Sequence, residues 1–532
     1  MGRVETVNME DFIQLRSKIE ELFHSNIQAA VDLALSLPEN DPNISQLKAS
    51  TLVDGGHQLK SEQLIKQGID IFENLLSIDK IKPITLYNLA NGLSALTSLK
   101  WGRYGNEWKT QYKWYFDTIK ERLLAKHNYS TAIAGQTDSK QIAQAFNNRA
   151  NMLNSAFRWI EAIREYSSAL KNDSKNGVAA GGIIKQIMGG YRKTAVNKNW
   201  LPVLVPPLYK SIIVNKEYSA QLCGENEFNK MMTQFDKWNI QNIPLKDLKT
   251  KRKRLTSYQS FVLSNELYLS PFMTRELFVH DLCDSLQIRS FISKDKLKSP
   301  EVPSVFGMFN IIKADYLTVR WLAFTYFDAN LPKNSFYHDT LDYAVYGTKP
   351  SLLTITQRLA FDILDKIAVA VLTSVGDPRA EDPFMSFRRA WFKFSTKDKV
   401  PENYFPTIEI EIEKGNRALI ALSELAFDIY DYYKDGCSYQ KKKHKLRNSS
   451  THRFTILHDI GFNKYYSQGG IDHYAIEDIE KELIDTLYII KAAIIYFIEV
   501  IYFRNGMLDD ELGGKFANLN VPSHKRIRGE KS

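Results

Sequence analysis

The chain has 532 residues, 44% hydrophobic and 25% charged, which is enough for two to four domains with ordinary soluble cores. Seventy Lys and Arg against 61 Asp and Glu leave a formal net charge of +9, which favours a polyanionic partner, RNA or DNA first; a slightly basic protein without such a partner has the same balance. Three widely spaced cysteines, Cys223, Cys283 and Cys437, argue against a disulfide framework, and the start MGRVETVNMEDF lacks a signal-peptide core, so the expected compartment is a reducing cytoplasm.

In chain order, the first 195 residues read as helix after helix. Within 141–171, Ala145, Asn148, Met152 and Leu153 share one helical face. After a short break, Trp159, Ile163, Tyr166 and Leu170 form a second face, so the two helices are expected to pack as an antiparallel hairpin. The second helix, with Glu161-Ala162-Ile163, Tyr166 and Ala169-Leu170, resembles the second helix of a tetratricopeptide repeat. Weaker copies lie at 49–76 and 84–124, irregularly spaced. The resemblance implies a solenoid whose concave face senses or docks a protein partner; a plain helical bundle is the other reading.

Residues 196–299 read as a helical linker region with Pro-rich and basic segments. The three prolines of WLPVLVPPLYKS speak against one regular helix there. The run Lys249–Arg254 (KTKRKR) is read as solvated surface, with phosphate contact as the alternative. From 256 to 510 the chain is again helical, with candidate helices at 308–328, 352–375, 414–435, 440–460 and 477–503, and one short candidate strand at 407–412 (TIEIEI). The most apolar stretch, Leu487–Phe503, carries Lys491 and Glu499 and reads as a buried core helix rather than a membrane span. Residues 511–532 read as a basic tail.

The segment 440–460, QKKKHKLRNSSTHRFTILHDI, carries the chemistry. On a helix with Leu446 at zero, Ser450, Phe454 and Leu457 fall within roughly 80° and form a core stripe. Lys441, Lys445, Asn448 and His452 cluster between about 200° and 260° on the other side, with Arg447 beside them. Arginine offers a planar donor pair to phosphate, lysines add positive potential, and histidine titrates near neutrality. RNA brings its own nucleophile, the 2′-OH, so a cation for the phosphate and an acid–base group suffice without metal. The expected cofactor and metal complement is therefore none.

Arg447, Asn448 and His452 match the R-N-x-x-x-H signature, and the surrounding helices resemble the HEPN superfamily over roughly 300–510. The resemblance is to long HEPN proteins with N-terminal tetratricopeptide repeats, linked to bacterial defence and toxin-like roles. It implies an all-α protein in which a tetratricopeptide-like solenoid precedes a HEPN helical bundle at 300–510. It also implies a homodimer through the C-terminal domain, whose two motifs form one RNA-cleaving cleft. Arg447, Asn448 and His452 would be catalytic, Lys441 and Lys445 would bind RNA, and Glu424 or Asp428 would be the acidic partner of the motif arginine.

Arg-x4-His alone is expected by chance about half a time in a chain of this size, and a polar second position lowers that to about one chain in twenty. The overlapping Arg453–His458 pair is set aside because its second position, Phe454, reads as core. His458-Asp459 also looks like the His-Asp pair of HD-domain metal phosphohydrolases, but the only nearby earlier histidines are His444 and His452 on the same segment. His280-Asp281 is a lone adjacent pair, and nothing places His473, which follows Gly469-Gly470 in a turn. The remaining alternatives are a non-catalytic repeat scaffold or a nucleotide-binding HEPN protein. No P-loop, H-E-x-x-H, C-x-x-C or dinucleotide glycine fingerprint is present.

Overall fold

The structure is a computed structural model and describes residues 9–193, 200–246, 254–272, 284–288, 290–291, 303–331, 336–395, 400–433, 446, 453–459, 465–512 and 519–520. It is predominantly helical, as the hydrophobic spacing predicts. Two compact units are present. The first comprises Met1–Gln186, Leu204–Leu245 and Phe427–Lys441; the second comprises Ile187–Val203, Lys246–Ala426 and Lys442–Ser532.

The first unit is built from helices that pack on their chain neighbours, chiefly Pro42–Gln58 on Glu62–Leu75, Lys82–Trp101 on Ile119–Gly135, and Ser139–Ser155 on Trp159–Asn172. Starts are fixed locally: Asn26, Asp41, Ser61 and Asp138 each accept a backbone N–H of the first turn through the side chain. Close approach is fixed by Gly68, where an added Cβ would lie 2.7 Å from the Ala49 carbonyl oxygen. The hairpin expected at 141–171 is present. Ala145, Met152, Leu153, Trp159 and Tyr166 are buried in it, and Asn148, Ile163 and Leu170 are half-buried. Its turn uses Phe157 at φ 62°. Arg149 Nε donates to Glu165 Oε2 at 2.7 Å, and the Tyr166 hydroxyl donates to Asn151 Oδ1 at 2.6 Å, tying the two helices together.

Leu201–Val214 corrects the reading of the proline-rich segment: it is one helix with Pro206 and Pro207 inside. Pro202 sits in the first turn, where a missing N–H costs nothing. Pro206 cannot donate to the carbonyl four residues back, but that oxygen, on Pro202, accepts the Lys246 N–H at 3.0 Å.

The second unit centres on long helices, Ser304–Asp328, Thr348–Val375 and Ile476–Leu512, each packed on the other two. The helix Arg417–Ile429 supplies a further buried stretch, Leu419–Ala426. Ile476–Met507 is long and apolar enough to cross a membrane by composition, yet 83% of its most apolar window is buried against protein. Lys491, 2% exposed, donates to the Glu266 carbonyl at 2.8 Å and lies 3.8 Å from the Tyr268 ring centre, so its charge is both hydrogen-bonded and covered by an aromatic face. The expected strand at 407–412 is instead part of the helix Pro406–Glu413. Pro406 opens the helix, Ile408 and Ile412 point inward one turn apart, and Ile410 is 50% exposed. Alternating isoleucines satisfy both periods, and the proline start decides for the helix.

A small sheet completes this unit: β1 (Ala344–Val345), β2 (Phe454–His458), β3 (Tyr466–Gln468) and β4 (Ile471–Ala475), in the order β1-β2-β4-β3. β2 and β4 are parallel and the other two pairings are antiparallel. Gly469 and Gly470, at φ 59° and 86°, make the two-residue connection from β3 to β4. The sheet corrects the expected helix 440–460 over its last part. Leu446 is helical and 5% exposed, as the core stripe requires, but Phe454–His458 is strand. Phe454, placed in the core by helical spacing, is 76% exposed. The Phe-Thr-Ile run has strong strand preference, and β4 and β1 supply its ladders.

Candidate active site

Arg447, Asn448, His452, Lys441 and Lys445 lie outside the described residues, as do His280-Asp281 and Lys249–Lys253. Arg453, the first described residue after the motif, is held at the edge of the sheet. Its Nε lies 3.0 Å from Asp472 Oδ2 and its guanidinium donates to the Ser467 hydroxyl at 2.7 Å. The Arg453–His458 alternative fails for a reason other than the one expected. Five residues apart in extended chain, the two are separated by about 17 Å along the strand and project to opposite faces. They cannot converge on one phosphate.

Glu424 and Asp428 lie one turn apart on Arg417–Ile429, 3% and 0% exposed. The Asp428 carboxylate is engaged within the first unit. It accepts Lys126 Nζ at 2.6 Å and pairs with Arg158, which also pairs with Glu161. All four side chains are nearly or fully buried. Burial alone would raise the Asp428 carboxyl, but the Arg158 and Lys126 charges outweigh it and hold the group below its ordinary value. Burial pulls the Lys126 ammonium down to about 7 despite Asp428. Arg158 is held above its ordinary value because Asp428 and Glu161 outweigh its burial.

The sheet gathers a second group that sequence spacing did not pair. Ile456 stands beside His473 in the parallel ladder, so the next inward position of β2, His458, reaches the same face. His458 Nε2 and His473 Nδ1 are 2.8 Å apart, and the two residues are 0% and 8% exposed. The other nitrogen of His458, Nδ1, lies 3.0 Å from the Asp342 carbonyl oxygen. A carbonyl only accepts, so Nδ1 carries the proton and, in the neutral ring, Nε2 presents a lone pair. Tyr466 stacks on the His473 ring at 4.1 Å between centres. Burial, reinforced by the neighbouring His458, holds His473 below the ordinary imidazole value and favours its neutral form. A hydrogen bond from the Thr340 hydroxyl at 2.5 Å helps hold the Asp342 carboxyl below its usual range. Among the described residues, Asp342, His458 and His473 each bring one ligand-type atom within 4.8 Å of the others. The HD arrangement expects an earlier histidine and a later aspartate; the groups gathered with His458 are instead a later histidine and an earlier aspartate. The signals for this cluster were the strand-forming FTILH and the Gly-Gly turn, which only together align His458 with His473.

The matched family model is LA2681-like HEPN, over residues 296–504. Comparison with curated proteins and with solved structures returned no match. The matched range contains the helices Ser304–Asp328, Thr348–Val375 and Arg417–Ile429, most of Ile476–Leu512, and the segment Arg447–His452. The C-terminal region of this chain is thus similar, over residues 296–504, to the LA2681-like branch of the HEPN superfamily.

Proposed function

We propose that the chain is a metal-independent endoribonuclease of HEPN type. The supporting observation is that the range similar to LA2681-like HEPN contains a complete R-N-x-x-x-H run, Arg447 to His452. In this reading the RNA 2′-OH attacks the adjacent phosphorus and the 5′-oxygen leaves, giving a 2′,3′-cyclic phosphate and a 5′-hydroxyl. Arg447 binds and polarises the non-bridging phosphate oxygens. His452 takes the 2′-OH proton or protonates the leaving oxygen, and a homodimer through the C-terminal domain supplies one histidine for each task. Asn448 orients the phosphate or the imidazole. Lys441 and Lys445 steer RNA through its backbone charge. Glu424 or Asp428, one turn apart on Arg417–Ile429, is the acidic partner for Arg447. The N-terminal helices serve as a tetratricopeptide-like sensor or docking surface in a cytoplasmic defence or toxin-like role.

The test is cleavage of single-stranded RNA in EDTA by the full chain, with end-group analysis. Wild type should leave cyclic phosphate ends. His452→Ala should lose at least about a hundredfold in rate, the lower end of acid–base contributions, while His458→Ala should lose far less. Equal cleavage by wild type and His452→Ala would refute the assignment, and no cleavage by wild type would favour a binding or scaffold role.

A further inference from the structure

We propose that Asp342, His458 and His473 form a binding site for one divalent transition-metal ion of the zinc class. One ligand-type atom each from the Asp342 carboxylate, His458 and His473 already lies within 4.8 Å of the other two, and His458 Nε2 and His473 Nδ1 are 2.8 Å apart. Two imidazoles and a carboxylate are a donor set that zinc accepts, leaving a fourth tetrahedral position for solvent or substrate. The surroundings are those of metal-holding histidines. His458 donates its other ring N–H to a backbone carbonyl at 3.0 Å, which fixes both its tautomer and its ring plane. His473 is held flat by the stacked Tyr466 ring. Both histidines sit on paired strands rather than on loops, so their separation is set by the ladder.

The backbone around Asp342 adds a second, independent observation. Leu341 and Tyr343 both adopt φ 59°, a left-handed conformation that costs a bulky residue free energy. Two such residues flank the aspartate. Together they turn its carbonyl onto His458 Nδ1 and bring its carboxylate to the histidine pair. Antiparallel pairing of Ala344 with His458, and the Asp459 N–H donated to the Tyr343 carbonyl at 3.3 Å, hold that turn against β2.

The geometry also states what metal binding changes. At 2.8 Å the two nitrogens share a hydrogen bond, His473 Nδ1–H to His458 Nε2. Ligands about 2.05 Å from a tetrahedral ion stand about 3.3 Å apart, so the rings separate by about 0.5 Å. The His473 proton passes from Nδ1 to Nε2 by tautomer exchange, with no net proton released, and rotation of the Asp342 side chain supplies the third ligand. This site shares no residue with Arg447–His452 and does not depend on the ribonuclease reading: a chain that binds no metal can still cleave RNA in EDTA, and the converse also holds.

The experiment is titration of the full-length, chelator-stripped protein with Co2+, followed by displacement with Zn2+. Wild type should take up one Co2+ per chain with the intense visible absorption of a four-coordinate ion, and Zn2+ should abolish it. Asp342→Asn, in the turn outside the strands, and His473→Gln should each weaken binding at least tenfold while circular dichroism stays unchanged. If His473→Gln fails to fold, Asp342→Asn alone decides. Absence of the four-coordinate spectrum in wild type, or binding that Asp342→Asn leaves unaltered, overturns the proposal and leaves the histidine pair as a hydrogen bond only.

Discussion

Replacing Asp428 by asparagine should destabilise the first unit severely while preserving side-chain shape. Asp428 is the carboxylate shared by Lys126 and Arg158, and all three side chains are fully buried. Asparagine keeps the size but removes the carboxylate that Lys126 and Arg158 share, while Arg158 keeps its pairing with Glu161. Arg122, 1% exposed, already adds to the positive field at Lys126. Breaking a buried pair by removing one partner typically costs about 3–5 kcal/mol, and this substitution belongs to that class. Lys126→Met should cost much less, about 1 kcal/mol or below, because it removes a poorly tolerated charge and leaves Arg158 bound to both acids. The pH dependence has a definite sign. Lys126 sits at about 7 in the folded protein and at its ordinary 10.5 when exposed, so the unfolded chain holds the extra proton between those values. Wild-type stability should therefore rise from pH 7 towards 10 relative to Lys126→Met. Asp428 acts in the opposite range: its lowered carboxyl contributes above the ordinary carboxylate value and is lost as acid is added below it. Urea unfolding read by fluorescence of the buried Trp114 and Trp159 gives these differences directly. An Asp428→Asn protein within about 1 kcal/mol of wild type, or a Lys126→Met protein equally damaged, would refute the argument.

Arg320 clamps Asp284 with two parallel bonds of 2.8 Å and also donates to the Leu267 carbonyl at 2.9 Å. Lysine cannot reproduce that fork, so Arg320→Lys should lower the stability of the second unit by about 2 kcal/mol in chemical denaturation. Gly68→Ala would drive a methyl group to 2.7 Å from the Ala49 carbonyl and 2.8 Å from Val53, and should cost about 1–3 kcal/mol by the same assay. Gly470, at φ 86°, permits the tight β3–β4 turn; Gly470→Val should cost about 1–2 kcal/mol and speed amide exchange in β4.

How far the sequence could be read depended on whether one period or two fitted the residues. The helices 308–328, 352–375 and 477–503 were legible because their apolar residues recur over many turns with few breaks, and the structure places helices across all three ranges. The hairpin at 141–171 was legible for the same reason. Short segments were not. TIEIEI fits strand alternation as well as a helical turn, and Pro406 with the burial of Ile408 and Ile412 settles it as helix. FTILH continues a helical stripe by spacing, but it forms a strand because β1 and β4 pair with it. The prolines of Leu201–Val214 would break an isolated helix; a distant N–H, from Lys246, satisfies one freed carbonyl.

The R-N-x-x-x-H spelling, the basic balance and the helical class follow from the amino-acid sequence alone, since each depends on residue type or local spacing. Residues 296–504 are similar to LA2681-like HEPN, in keeping with the HEPN resemblance. What only tertiary structure decided are the contacts between residues far apart in the chain. Asp428 reached Lys126 and Arg158 across 302 and 270 positions, becoming the centre of a buried charge cluster. His458 reached His473 through a parallel register and Asp342 across 116 positions through a strained turn. A side chain's type limits the chemistry it can do, but its protonation state, its partners and its access to a ligand are set by neighbours that the fold alone supplies.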